Sequence, residues 1–228
     1  MNMCRFLLVR SKNKIKPETL LKQFALMCQK SRAPDGDWQG DGWGIASKIS
    51  NFKFQISNWD IYKSLKPVWE DRDKFQEFAE TNMFVVHARS AGFPQHKGII
   101  EFTEPFIQDE LCFVFNGMIK GVKIKRKLEG KIGAQKIFSL ILEEKKSKPI
   151  EEVLKSIDKL VLENSVKIIG MNIAVAKENK FYLLCEYEEN ADYFGLRYFQ
   201  DQKLTIICSQ PIGSYAFNVM NKGEILVL

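Results

Sequence analysis

Two histidines, His87 and His96, are all that the 228 residues contain. That scarcity excludes a histidine-rich metal centre and leaves few candidates for a Ser-His-Asp triad. The five cysteines, Cys4, Cys28, Cys112, Cys185 and Cys208, include no C-x-x-C pair. Neither a thiolate zinc site nor a disulfide framework is expected, and no metal or cofactor is implied. Four of the five lie in apolar, strand-like runs, which suits reduced thiols in a cytoplasmic protein. No apolar run approaches the roughly 18–20 residues of a membrane span. The first residues also lack the basic and apolar regions of a secretory signal, so a soluble chain without membrane contact is expected. Repeats, low-complexity tracts and linkers are absent too, and the length suits one domain. The formal net charge of +6 falls short of the dense basic patches of nucleic-acid binders.

What is present is a succession of strands and helices. Residues 4–10 form an apolar strand. Residues 14–30 shift to helical period, with Pro17 suited to the first turn and Leu20, Leu21, Phe24, Met27 and Cys28 on one face. Residues 31–42 are turn chemistry and lead into a strand start at Trp43-Gly44-Ile45-Ala46. Phe52, Phe54 and Ile56 alternate with polar residues as a strand. Residues 65–82 read as a charged helical segment with Phe75, Phe78 and Ala79 inward. Residues 83–89 form an apolar strand ending His87-Ala88-Arg89. Residues 111–115 form another, closed by Asn116-Gly117, a strong turn dipeptide. Residues 134–146 and 150–164 form a helical hairpin, and four further strands complete the chain near 166–176, 181–187, 204–209 and 224–228. The order implies a layered α+β domain.

Met3 stands directly before Cys4. If translation starts at Met3, or if Met1-Asn2-Met3 is removed, Cys4 carries a thiol and a free α-amine together. The amine, with an ordinary pKa of about 7.7–8.0, can take the thiol's proton near neutral pH. Taken alone, Cys4 equally fits one more buried thiol of an apolar strand.

Met3-Cys4-Arg5, Asp41-Gly42-Trp43-Gly44-Ile45-Ala46, His87-Ala88-Arg89 and Phe115-Asn116-Gly117 occur in an order and spacing that resembles the class II glutamine amidotransferases. These belong to the N-terminal-nucleophile hydrolases. Cys208-Ser209-Gln210-Pro211-Ile212 and the strand after Gly223 extend the resemblance over nearly the whole chain. It implies a four-layer αββα sandwich, two antiparallel sheets between helical layers, spanning 4–228 as a single domain. It also implies that Cys4 attacks the side-chain amide of glutamine, releasing ammonia through a γ-glutamyl thioester. The Asn116 amide and the Gly117 N–H would hold the oxyanion, Gly117 through a close approach and a positive φ. Arg89 would grip the substrate carboxylate, because a planar guanidinium holds one bidentately. His87 and Trp43 would line or anchor the pocket.

Three positions differ from the family's pattern. Phe115 precedes Asn-Gly where the family commonly has His. Glu104-Pro105-Phe106 stands where the family has His-Pro-Phe. Lys131-Ile132-Gly133-Ala134-Gln135-Lys136 holds no carboxylate where the family's Asp binds the substrate ammonium. Glu104 and Glu129 are the candidates to replace it. The expected ligand is therefore glutamine or a related small amide, with ammonia passing to a separate acceptor protein. An altered relative acting as a non-catalytic interaction module is the alternative. The basic residues from Lys120 to Lys136 lack interleaved aromatics and read as a solvated loop, with nucleic acid not expected as a partner.

Overall fold

The computed structural model describes residues 3–49 and 58–228. The strand expected at Phe52, Phe54 and Ile56 lies outside the described residues. Among the described residues, no helix is long and apolar enough to cross a membrane.

The chain opens with β1 (Arg5–Ile15), α1 (Glu18–Lys30), β2 (Trp43–Lys48), β3 (Trp59–Ser64) and β4 (Thr81–Ala88). Next come β5 (Phe106–Gln108), β6 (Leu111–Lys120) and the helices α2 (Gly133–Glu144) and α3 (Ile150–Glu163). It closes with β7 (Lys167–Lys177), β8 (Lys180–Cys185), α4 (Ala191–Phe194), β9 (Arg197–Gln200), β10 (Leu204–Cys208), β11 (Asn218–Val219) and β12 (Glu224–Val227). Among the described residues, one antiparallel sheet runs β11-β9-β10-β1-β4-β2-β3 and the other β12-β8-β7-β6-β5.

Burial explains the layering. β1 lies between β10 and β4, with Leu7 opposite both Cys208 and Val86. Its Leu7 and Val9 pack with Leu21, Phe24 and Cys28 of α1, while Phe6 and Leu8 pack with Val114, Ala174 and Leu183 of the other sheet. A strand covered on both faces must read as a continuous apolar run, and this one does. α2 and α3 cover the far side of the second sheet, where Phe138, Ile141, Leu154 and Ile157 meet Phe113 and Ile173. Each such large side chain contributes roughly 1.5–3 kcal/mol on burial. The result is the expected αββα sandwich.

Three local expectations are corrected. Residues 65–82 hold two short 3-10 segments, Val68–Glu70 and Arg72–Glu77, rather than a helix. Val68 and Phe75 are anchored under α1, and Asp71 is held by Trp43 Nε1 and Tyr62 Oη, so tertiary anchors override the helical period; Ala79 faces solvent. Asn116 and Gly117 are not a turn but lie inside β6, opposite Asn172 and Met171. Nor does Gly117 have a positive φ. It is glycine because a Cβ there would sit 2.0 Å from the Gly170 carbonyl oxygen of β7.

Gly44 fixes the loop that carries Glu104. A Cβ at Gly44 would lie 2.4 Å from the Glu104 carbonyl oxygen and 3.2 Å from that of Tyr62. Both obstacles are backbone, so Gly44→Ala is expected to lower the unfolding free energy by about 2–3 kcal/mol, as overpacking does. Urea denaturation checks this. An unchanged midpoint would mean that the loop yields without cost.

Candidate active site

Cys4 immediately precedes β1 and shares its face with Phe6 and Leu8, so it looks into the space between the sheets. It lines a cavity of about 780 Å³ together with Arg89, Ser90, Glu104, Phe115 and Gly117. Its thiol donates a long hydrogen bond to the Ser90 carbonyl at 3.8 Å. Burial, then the nearby Glu104 carboxyl, push the thiol up to about 12. A sulfur held so firmly as the thiol needs an adjacent base to become a nucleophile.

The segment ahead of Cys4 is fixed tightly. Met3 is fully buried against Ala33, Ile169, Tyr193 and Phe194. Its carbonyl accepts from Tyr193 Oη at 2.8 Å and from Gln39 Nε2 at 3.2 Å. Gln39 is itself completely buried, and its Oε1 has no partner. On the other side of Cys4, Arg5 lies 3.5 Å over the Tyr193 ring. Arg5 donates to the Tyr193 carbonyl at 2.8 Å and to Ser31 Oγ at 2.7 and 3.0 Å. Gln39 and Ser31 escape sequence reasoning because single polar residues in loops carry no periodic signal, and Tyr193 because its helix, α4, is only about one turn long. Met3-Cys4-Arg5 did flag the strand end, but not that Arg5 is its anchor.

Arg89 follows the end of β4. Its backbone N–H donates to the Gly42 carbonyl, and its guanidinium donates to the His96 carbonyl at 2.7 Å and the Asp41 carbonyl at 3.3 Å. The Asp41 carboxylate is engaged by the Ala91 N–H at 2.7 Å and Lys97 Nζ at 3.2 Å. Among the described residues, no carboxylate forms an ion pair with Arg89. The Asp-Gly-Trp-Gly stretch thus folds over Arg89 and aims its guanidinium beside Cys4.

Asn116 is fully buried, and neither its amide nitrogen nor its oxygen has a partner among the described residues. By strand alternation it shares a face with Cys112 and Val114, which pack between the sheets. It therefore looks toward the layer that holds Cys4. Leaving a buried amide unmatched costs about 1–3 kcal/mol, which makes such a group a candidate for ligand contact. Asn172, directly opposite on β7, is also buried and donates to the Phe194 carbonyl at 2.5 Å.

Glu104 lines the same cavity and accepts from the Phe115 N–H at 2.5 Å. Burial raises its carboxyl to about 8, against the lowering pull of that hydrogen bond, Lys63 and Arg89. His87 lies behind it and is completely buried, with Nε2 at 3.1 Å from the Phe115 carbonyl and 3.7 Å from the Glu104 carboxyl. Burial lowers the imidazole to about 3. The neutral imidazole forms no ion pair with Glu104, whose carboxyl burial pushes toward the neutral form. His87 supports the floor of the cavity without lining it.

Trp43 does not belong to the cavity. It starts β2 and is fully buried on the α1 side among Tyr62, Phe75 and Phe78. Its indole N–H donates to Asp71 at 3.1 Å. A tryptophan between glycines looked like a pocket residue, but strand alternation turns it to the opposite face of the sheet.

No protein-family model and no curated protein sequence matches the chain. Solved structures do match. A glutamine aminotransferase class-II domain protein from Silicibacter pomeroyi superposes with a TM-score of 0.62 at 14% identity, over 98% of this chain and 94% of that one. Glutamine phosphoribosylpyrophosphate amidotransferase from B. subtilis gives 0.67 at 11% identity, over 98% of this chain but 47% of that one. The chain thus spans about half of that enzyme. A predicted glutamine amidotransferase from Pseudomonas aeruginosa gives 0.54 at 14% identity, over 98% and 96% of the two chains. The chain shares the fold of these glutamine amidotransferase domains.

Proposed function

We propose that the chain is an amidohydrolase of the glutaminase type, in which Cys4, once it is the first residue, attacks the side-chain amide of glutamine or a related amide. The observation that carries this reading is the opening of Cys4 into a cavity beside an Arg89 without a carboxylate partner. The unpartnered amide of Asn116 on the facing sheet supports it.

The steps follow from the groups present. Removal of Met3 leaves the Cys4 α-amine where the Met3 peptide had been, with Gln39 Oε1 and Tyr193 Oη as its acceptors. The amine takes the thiol proton, and the sulfur attacks the amide carbon. The oxyanion is received by the Asn116 amide and the Gly117 N–H. The amine then returns the proton to the departing nitrogen, so ammonia leaves and a thioester remains. Water attacks the thioester and releases the acid. Arg89 holds an anionic group of the substrate. Ammonia passing to a separate acceptor protein belongs to the same proposal.

Intact-mass measurement of the natural protein tests the first requirement: the chain is expected to begin at Cys4. Protein beginning at Cys4 should release ammonia from an amide substrate, and protein retaining Met1 should not. No turnover by the Cys4 form, with binding of a partner protein, would instead support a non-catalytic interaction module.

Asn116→Ala removes one oxyanion donor. Its expected cost is about 10²–10³ in kcat, the usual worth of such a donor. Because Asn116 has no partner among the described residues, stability should hold or rise, which separates a catalytic loss from a structural one. Steady-state kinetics with a parallel melting curve checks both.

A further inference from the structure

We infer that the amide attacked at Cys4 carries an extended apolar arm, held in the part of the cavity between the β6 end and α2; this rests on the proposed role of Cys4. The cavity measures about 780 Å³. That is in the upper part of the roughly 300–1,000 Å³ range of sites for drug-sized ligands, and far more than a single amino acid fills.

The chemistry of its walls is divided. Arg89 and Glu104 lie with Cys4 at one end. The rest is walled by Ile119, Val122, Ile124, Leu128, Ile132 and Ile137. Val122 is 45% exposed, so this apolar wall reaches solvent rather than closing into the core. A zwitterionic amino acid needs partners for both its charges, because an unpaired buried charge is costly. Arg89 meets the requirement for an anion. For an ammonium the walls offer little. Glu104 has one oxygen engaged by the Phe115 N–H, and burial pushes its carboxyl up toward the neutral form. At the start of α2, the Gln135 side chain is turned back to the Lys131 N–H at 2.8 Å, and Gly133 and Ala134 bring no acid. Exposed Lys120, Lys131 and Lys136 border the cavity and would repel a cation. The ligand that fits has an anionic head near Arg89, an amide at Cys4 and an uncharged apolar arm.

Two substrate series test this on protein beginning at Cys4: N-acyl glycines from acetyl to decanoyl, and glutaric acid monoalkylamides from methyl to decyl, with free glutamine alongside. The first places the arm on the acyl side, the second on the leaving amine. In one series kcat/KM is expected to rise roughly three- to fourfold per methylene until the chamber is full. Flat series in both, with glutamine the better substrate, would overturn the inference while leaving Cys4 as the nucleophile. Ile124→Asp, at a partly exposed loop position, is expected to reduce the ratio of the longest to the shortest substrate at least tenfold; an unchanged ratio counts against the chamber. Calorimetric titration of decanoate into the Cys4→Ala protein reads the chamber without turnover. Saturable binding that Ile124→Asp weakens supports it, and no binding overturns it. Binding of decanoate with no hydrolysis of any substrate by the Cys4 form would refute the nucleophile and keep the chamber.

Discussion

Cys4→Ala, made in protein that begins at residue 4, is expected to lower amide hydrolysis by at least about four orders of magnitude, as loss of a covalent nucleophile does. It should also abolish labelling by a glutamine-like electrophile. The substitution keeps the α-amine and the cavity and removes only sulfur. Its structural cost is small, since the thiol's one hydrogen bond is a 3.8 Å contact to the Ser90 carbonyl. The melting temperature should therefore stay close to that of the parent, which isolates the chemical effect. Selectivity gives a second readout. Cys28, Cys112, Cys185 and Cys208 are buried, whereas Cys4 is partly exposed and opens into the cavity. In the folded protein, a thiol reagent should modify Cys4 and spare those four. Retained turnover in Cys4→Ala would remove the proposed mechanism altogether.

The second large effect concerns stability against pH, through His87 and Glu104. His87 is lowered from 6.5 to about 3 by burial. Between those values the unfolded chain holds a proton that the folded chain does not, so stability rises with pH. Glu104 is raised from 4.5 to about 8, again by burial. Between those values the folded chain holds the extra proton, so stability falls as pH rises. The two windows overlap from 4.5 to 6.5, where their slopes cancel. From this pair, stability should climb from about pH 3, level off near 4.5, and decline from 6.5 toward about 8. Each pH unit of one group's window carries about 1.4 kcal/mol. Glu104→Gln keeps an acceptor for the Phe115 N–H and removes the titration. Relative to the parent, it should gain on the order of 4–5 kcal/mol between pH 4.5 and 8, and its own curve should stay level above 6.5. Urea unfolding across pH 3–9 measures both proteins. Parallel curves would show that Glu104 is ionised in the folded protein.

Part of this site was legible in the residue order. Cys4 directly after a methionine, Arg89 at the end of an apolar strand and an Asn-Gly pair at the end of another all carry local signals. So did the layering, because apolar runs in β1 and β7 and helical period in α2 and α3 state which faces must be covered. What misled were dipeptides whose local preference was overridden. Asn116-Gly117 has the composition of a hairpin turn, yet β7 pairs alongside and continues the strand. Gly117 is required by the approach of Gly170, not by a positive φ. Trp43 sits where a pocket residue would, but the alternation of β2 sends it under α1.

The amino-acid sequence by itself determined the layers and the chemistry along the chain: a thiol directly after a methionine, a guanidinium, an amide, and a segment before α2 without an acid. These are written in neighbouring residues and in periods of two and 3.6. Only the tertiary structure decided what surrounds them. Arg5 reaches Tyr193 across 188 positions, and Cys4 meets Ser90 across 86. Gln39 from a loop and Tyr193 from α4 close on the Met3 carbonyl. The raised Glu104 carboxyl and the apolar chamber arise the same way, from residues distant in sequence excluding water together. Desolvation belongs to the packed volume and to no single stretch of chain, which is why the charge states at the site, and the kind of substrate proposed for it, could be read only after folding.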